Sequence, residues 1–312
     1  MNMGVKIVST CLFGGPQASR HRSCPGGGSA EFYRRYLPAW VRAHHNVYSG
    51  WRWTLHHDDE CFGSDLPYSR ELMELADADL VDLVSCGTAT ERNAALLWRL
   101  KPLFDPLADI VICRDLDSLP TPLDRACVRD FMACGLAVAH GINDSISHCF
   151  ALGGGMCGFW AHAVRAILAE IGVRCWDDLL AMAGRGSNWR RPGQEQQFLN
   201  GPLLRLLRNQ TIVHDLNRAP DIGYGELCVG RPADDLDGGR QPHPALPHFT
   251  ADLWAAADRL MPHLGASGFD VERAVDFWQV NGDPEIEQRI ALCESFGPDR
   301  YRAGRMCAEG AV

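Results

Sequence analysis

Ala108-Asp109-Ile110-Val111-Ile112-Cys113-Arg114-Asp115-Leu116-Asp117-Ser118 is an apolar run that ends abruptly in two carboxylates. Uninterrupted β-branched residues of this length suit a strand covered on both faces, as in a parallel sheet. A buried strand of that kind needs helices on either side, so the segments around it should alternate strand and helix.

They do. Upstream, 5–13 reads as a first strand stopped by Gly14-Gly15-Pro16, and 17–29 as a polar, Gly-rich loop. A helix is expected over 30–46, a strand over 51–57, a helix over 69–76, a strand over 80–85 and a helix over 90–104. Downstream, a helix is expected over 124–133 and a strand over 136–139, then the glycine-rich stretch 150–159. Helices follow over 160–171, 176–183 and 194–207, the last interrupted by Gly201-Pro202. A short strand over 211–213 ends at His214-Asp215, 230–247 reads as a long loop, and 250–264 and 271–293 read as helices. The expectation is an α/β fold with a mostly parallel sheet flanked by helices. A catalytic domain over 1–229 is followed by a loop and helical C-terminal appendage over 230–312. Ligands of such sheets bind beyond the carboxyl ends of the strands, where Asp115 and Asp117 stand.

Whole-chain chemistry narrows the functions. The net charge is -9 and 22% of the 312 residues are charged, which argues against nucleic acid as a partner. The 13 cysteines include no Cys-x-x-Cys pair, so neither a zinc ribbon nor a thioredoxin-like site is supported. The start lacks a basic segment leading into a long apolar one, and no apolar run approaches the ~18 residues of a membrane span. A reduced, cytoplasmic setting is the simplest expectation.

Two carboxylates at the end of a buried strand are costly unless a cation offsets them. Mg²⁺ or Mn²⁺ commonly sits between one or two carboxylates and substrate phosphates, and neutralises a departing diphosphate. Asp and Ser equally favour helix caps and turns, so the pair alone leaves both readings open.

With its surroundings the pair resembles the core of GT-A-fold glycosyltransferases, the nucleotide-diphospho-sugar transferases with an Asp-x-Asp motif. The resemblance rests on Trp98-Arg99-Leu100-Lys101-Pro102-Leu103-Phe104 before the strand and Arg114-Asp115-Leu116-Asp117-Ser118 after it. Leu152-Gly153-Gly154-Gly155-Met156-Cys157-Gly158, Glu195-Gln196-Gln197-Phe198-Leu199 and His214-Asp215 follow in the family's order. It covers roughly 5–229 and implies a metal-dependent transferase, hexosyltransferase-like, that moves a sugar from a nucleoside-diphosphate donor, UDP-sugars among the candidates, to a hydroxyl of a glycan, lipid or small acceptor.

The resemblance also distributes roles. Asp115, Asp117 and His214 are the expected ligands of Mn²⁺ or Mg²⁺, and Leu116 lies between them in the donor site. Thr10, Cys11, Leu12 and Phe13 would border the nucleotide, with His57 and Asp58 near the base or ribose. Gly154 and Gly155 would lie against the sugar. The residues support several of these roles themselves. His214 ends a strand, where a metal ligand or an ordinary capping histidine would fit. Arg99 and Lys101 suit a diphosphate, or else a solvated helix face. The glycines permit close backbone approach, or simply a tight turn. Glu195 would orient an acceptor or act as base alongside Asp117 in the catalytic set, or else be a charge favoured at a helix start. His56-His57-Asp58-Asp59 is not expected to chelate as one cluster, because neighbours on a strand face opposite ways.

Two other functions fit Asp-x-Asp after an apolar strand. One is a haloacid-dehalogenase-like phosphatase, in which the first Asp is a nucleophile. Leu119 stands where that pattern usually has Thr or Val, and several elements precede the motif. The other is a GT-A-like domain that binds a sugar nucleotide or glycan without transferring it.

Overall fold

The apolar run forms a strand at the centre of an eight-stranded sheet. The computed structural model describes residues 4–13, 41–42, 44–45, 47–59, 67–87, 92–116, 122–143, 150–185, 189, 194–207, 210–215 and 229–232. Asp117, Ser118, the glycine-rich loop 17–29, most of the helix expected over 30–46, and the two helices expected over 250–264 and 271–293 lie outside the described residues.

The strands are β1 (Val5–Leu12), β2 (Arg52–His57), β3 (Asp82–Ser85), β4 (Ala108–Arg114), β5 (Ala139–Asn143), β6 (Met156–Trp160), β7 (Thr211–Asp215) and β8 (Val229–Pro232), in the spatial order β3-β2-β1-β4-β6-β5-β7-β8. All neighbouring pairs are parallel except those of β6, which runs against both β4 and β5. The described helices are α1 (Pro67–Asp77), α2 (Arg92–Ala95), α3 (Pro122–Cys134), α4 (Ala161–Glu170), α5 (Trp176–Gly184), α6 (Gln194–Phe198) and α7 (Leu204–Leu207). The chain is therefore α/β with a mixed, mostly parallel sheet. None of the described helices is long and apolar enough to cross a membrane.

Alternation along β4 divides the core. Val111 and Cys113 pack in one layer with Leu168 of α4, Leu179 of α5 and Phe198 of α6. Ile110 and Ile112 pack in the other with Leu72 of α1 and Phe131 of α3. At roughly 25 cal/mol per Å² of apolar area removed from water, a strand buried on both faces contributes twice over to the fold.

Three local expectations are corrected and one is met. The helix expected over 90–104 is α-helical only as α2, after which Leu96–Phe104 is a 3-10 helix containing Pro102. Three residues per turn puts Leu97, Leu100 and Leu103 in one stripe, and all three are buried in the α4 layer. The strand expected over 136–139 is β5, beginning at Ala139, because Leu136 follows a positive-φ Gly135 and is 86% exposed. The interruption expected at Gly201-Pro202 within 194–207 is present, as a π-helical turn Leu199–Leu203 between α6 and α7. The loop expected from 230 begins instead as β8, which pairs with β7 through its backbone despite a sequence of Val, Gly, Arg and Pro, and which crosses the expected boundary at 229.

Candidate active site

Parallel strands deliver their carboxyl ends to one edge, and the reversed β6 delivers its amino end to that same edge. Asp115 therefore follows β4 at the place where the Gly153–Gly155 turn enters β6; Met156 is the register partner of Arg114. The 3-10 helix supplies Arg99 and α6 supplies Glu195, both from the α4 layer.

Arg99 is the hub. It is 3% exposed, and its Nη1 donates to Asp115 Oδ1 at 2.5 Å while Nη2 lies 3.6 Å from Glu195 Oε1. Its Nε donates to the Leu96 carbonyl at 2.9 Å, which fixes the side chain over its own helix. Burial opposes its charge, but Asp115 and Glu195 outweigh that and hold its pKa well above the ordinary range. Asp115 remains 42% exposed, so one of its oxygens is committed to Arg99 while the carboxylate still reaches solvent. Glu195 is buried, and its Oε1 makes no hydrogen bond. Burial, offset in part by Arg99 and reinforced by Asp115, raises its pKa to about 7. A carboxyl poised there exchanges a proton near neutral pH.

The glycine turn has no room for side chains. A Cβ on Gly155 would fall 2.0 Å from Asp115 Oδ2, and one on Gly154 would fall 2.2 Å from Glu195 Oε1. The two glycines thus floor the two carboxylates. Cys11, at the end of β1, joins the same cluster. Burial, opposed by Arg99, pushes its thiol up to about 12, so it is a neutral neighbour.

Of the residues expected in the site, Arg99, Asp115, Gly154, Gly155, Glu195 and Cys11 come together. Others do not. Lys101 lies two residues beyond Arg99, and on a 3-10 helix that turns it away: its Nζ donates to Cys86 Sγ at 3.4 Å and sits 5.7 Å over the Trp176 ring. Leu116 is buried in the α3 layer, and Leu12 packs there as well. Thr10, between Cys11 and Ser9 on β1, is buried. Asp58 is buried at the end of β2, its N–H donating to the Leu12 carbonyl at 3.2 Å. His57 Nδ1 lies 2.9 Å from the Asp58 carbonyl.

His214 is the clearest correction. It alternates with Val213, which packs in the α4 layer, so its ring enters the opposite layer with Ile212. There it is fully buried, its Nε2 3.0 Å from Asp130 Oδ2 of α3 and its ring edge-on to His140. It does not face Asp115. Among the described residues no three His, Cys, Asp or Glu side chains stand together as a metal-ligand set. Among the described residues Asp115 remains as the candidate ligand there. One or two carboxylates are enough for Mg²⁺, which keeps several waters and takes phosphate oxygens. Asp115, half-exposed at the edge, fits that demand.

One pairing was not anticipated. Arg114, immediately before Asp115, is buried in the α3 layer against Asp124. A charged residue within a buried strand was the available signal, since such a group must have a partner.

Neither the scan against protein-family models nor the search of curated proteins finds a match to this chain.

Proposed function

We propose that the chain is a metal-dependent, GT-A-like glycosyltransferase that moves a sugar from a nucleoside-diphosphate donor to a hydroxyl acceptor. The observation that carries this reading is the Arg99–Asp115–Glu195 cluster set over Gly154 and Gly155 at the carboxyl edge of a mixed, mostly parallel sheet. Asp115, with Asp117, would hold Mn²⁺ or Mg²⁺, which when bound supplies positive charge to offset that developing on a departing diphosphate.

The chain's own residues do the rest. Arg99 orients Asp115 and offsets charge in a buried site, where a fixed cation acts strongly. The bare backbone of Gly154 and Gly155 permits a sugar to approach the carboxylates closely. Glu195, balanced near pH 7 by burial against Arg99, is suited to orient the acceptor hydroxyl and take its proton.

The test is thermal stability of the full chain with UDP or GDP, with and without Mn²⁺ or Mg²⁺, followed by a screen of nucleotide sugars for metal-dependent hydrolysis. Stabilisation by nucleotide only in the presence of metal, lost in Asp115→Asn and Asp117→Ala, is expected. Nucleotide binding with no hydrolysis or transfer would favour a non-catalytic binding domain. Cleavage of phosphate monoesters without any nucleotide response would make the chain a phosphatase.

A further inference from the structure

Arg114 precedes Asp115 by one position, yet its side chain leaves by the other face of the sheet and is wholly buried. Nearly every donor of its guanidinium is matched. Nε donates to Asp124 Oδ2 at 3.1 Å and Nη2 to Asp124 Oδ1, a two-pronged grip. Nη1 donates to the carbonyls of Cys113 at 2.7 Å and Cys157 at 3.1 Å. The partners matter because of where they lie. Asp124 is in the first turn of α3, at the far end of the connection that leaves Asp115 and contains Asp117. Cys157 follows the Gly154–Gly155 turn on which Asp115 rests. One planar cation thus ties together the end of β4, the start of β6 and the start of α3.

We propose that Arg114, gripped by Asp124, is a positioning residue that sets Asp115 and the glycine turn in register for the divalent cation and diphosphate; this rests on the function proposed above. Stability alone does not require this group, since a well-packed apolar pair of similar volume replaces many buried ion pairs without loss. What an apolar pair cannot supply is donors to two strand carbonyls and both carboxylate oxygens at once. Lysine cannot supply them either, because its ammonium lacks the fork.

The experiment uses the full chain and the paired variant Arg114→Met with Asp124→Leu, which removes both charges and leaves neither orphaned. Three quantities are read: melting, amide hydrogen exchange at Asp115, Leu116 and Gly153–Gly155, and the Mn²⁺ concentration giving half-maximal stabilisation by UDP or GDP, whichever responds in the wild type. The expected result is a folded chain with faster exchange at those amides and a Mn²⁺ requirement raised about 10- to 100-fold, the usual range for groups that orient metal ligands. Wild-type exchange at these amides overturns the proposal. So does faster exchange with an unchanged Mn²⁺ requirement, because the pair would then be structural only. If the paired variant fails to fold, Arg114→Lys decides: it keeps the charge but not the fork, and a Mn²⁺ requirement equal to wild type overturns the proposal. If the wild-type chain shows no metal-dependent nucleotide response, the proposed function fails, and the exchange comparison alone then decides whether Arg114 sets these segments.

Discussion

Glu195→Gln keeps the size of a buried side chain while deleting its proton equilibrium. In the folded chain burial raises this carboxyl from 4.5 to about 7, so near pH 6 it holds a proton that the unfolded chain has lost. Stability changes with pH according to the difference in bound protons between the unfolded and folded states. Here the folded state binds more, so the wild type loses stability as pH rises from the unfolded value to the folded one, with no contribution beyond either end. At about 1.36 kcal/mol per pKa unit, the full loss is roughly 3 kcal/mol. Glutamine has no such slope. Relative to wild type, the variant should therefore gain roughly 3 kcal/mol between about pH 4 and about pH 8, whatever their offset at any single pH. Urea unfolding of both proteins across this range measures it, because subtracting one curve from the other removes the groups they share. Parallel curves would refute the burial argument, and with it the reason for treating Glu195 as a neutral-pH proton carrier. If Glu195 acts as base, transfer by the variant should also fall by about 10²- to 10⁴-fold.

Two further outcomes separate site from scaffold. Gly155→Ala places a methyl group 2.0 Å from the original position of Asp115 Oδ2. The half-exposed carboxylate must swing off Arg99, so the Mn²⁺ requirement for nucleotide stabilisation should rise about 10-fold or more while the chain stays folded; a Mn²⁺ titration matching wild type would contradict the placement of that turn. His214→Ala breaks the buried contact with Asp130 and should cost roughly 1–3 kcal/mol in urea unfolding. It should leave the Mn²⁺ requirement unchanged, and a raised requirement would restore His214 as a ligand.

What was legible in the sequence follows from which signals are local. The apolar run ending at Cys113 identifies a strand buried on both faces, and hence the edge at which Asp115 stands. Arg99 and Glu195 were singled out by the resemblance of the segments 98–104 and 195–199 to those of GT-A enzymes, since Glu170, Asp177 and Asp178 also follow the glycine turn and its position alone selects none of them. Lys101 was grouped with Arg99 for its charge and its closeness in sequence. Residues two apart face different sides of an α-helix and of a 3-10 helix alike, and the structure sends Lys101 to Cys86 and Trp176 while Arg99 turns to Asp115. His214 was grouped with the Asp pair because a sequence shows that a strand has ended, not which face its last residue takes; that depends on Ile212 and Val213 packing in opposite layers. β8 left almost no trace, since Val229, Gly230, Arg231 and Pro232 carry no apolar alternation and enter the sheet by backbone pairing to β7. The Arg114–Asp124 grip was half-visible: a buried arginine demands a partner, but only the fold selects Asp124 from the many acids nearby in sequence.

The reversed strand has a consequence for how this molecule is built in time. β1, β2 and β3 join β4 by parallel pairing, and β5, β7 and β8 associate by parallel pairing on the other side. β6 is the seam, and each half meets it in the opposite sense. Shorter loops cost less entropy to close than longer ones. The register partners Ile112 and Gly158 are closer in sequence than Val8 and Ile112 or His140 and Ile212, so loop entropy favours the seam over the parallel pairings on either side of it. Asp115 and the Gly154–Gly155 turn flank that seam, whereas Glu195 reaches them from α6, farther along the chain. A chain halted with the seam closed and α6 undocked would hold the arginine, its aspartate and the glycine floor but not the second carboxyl.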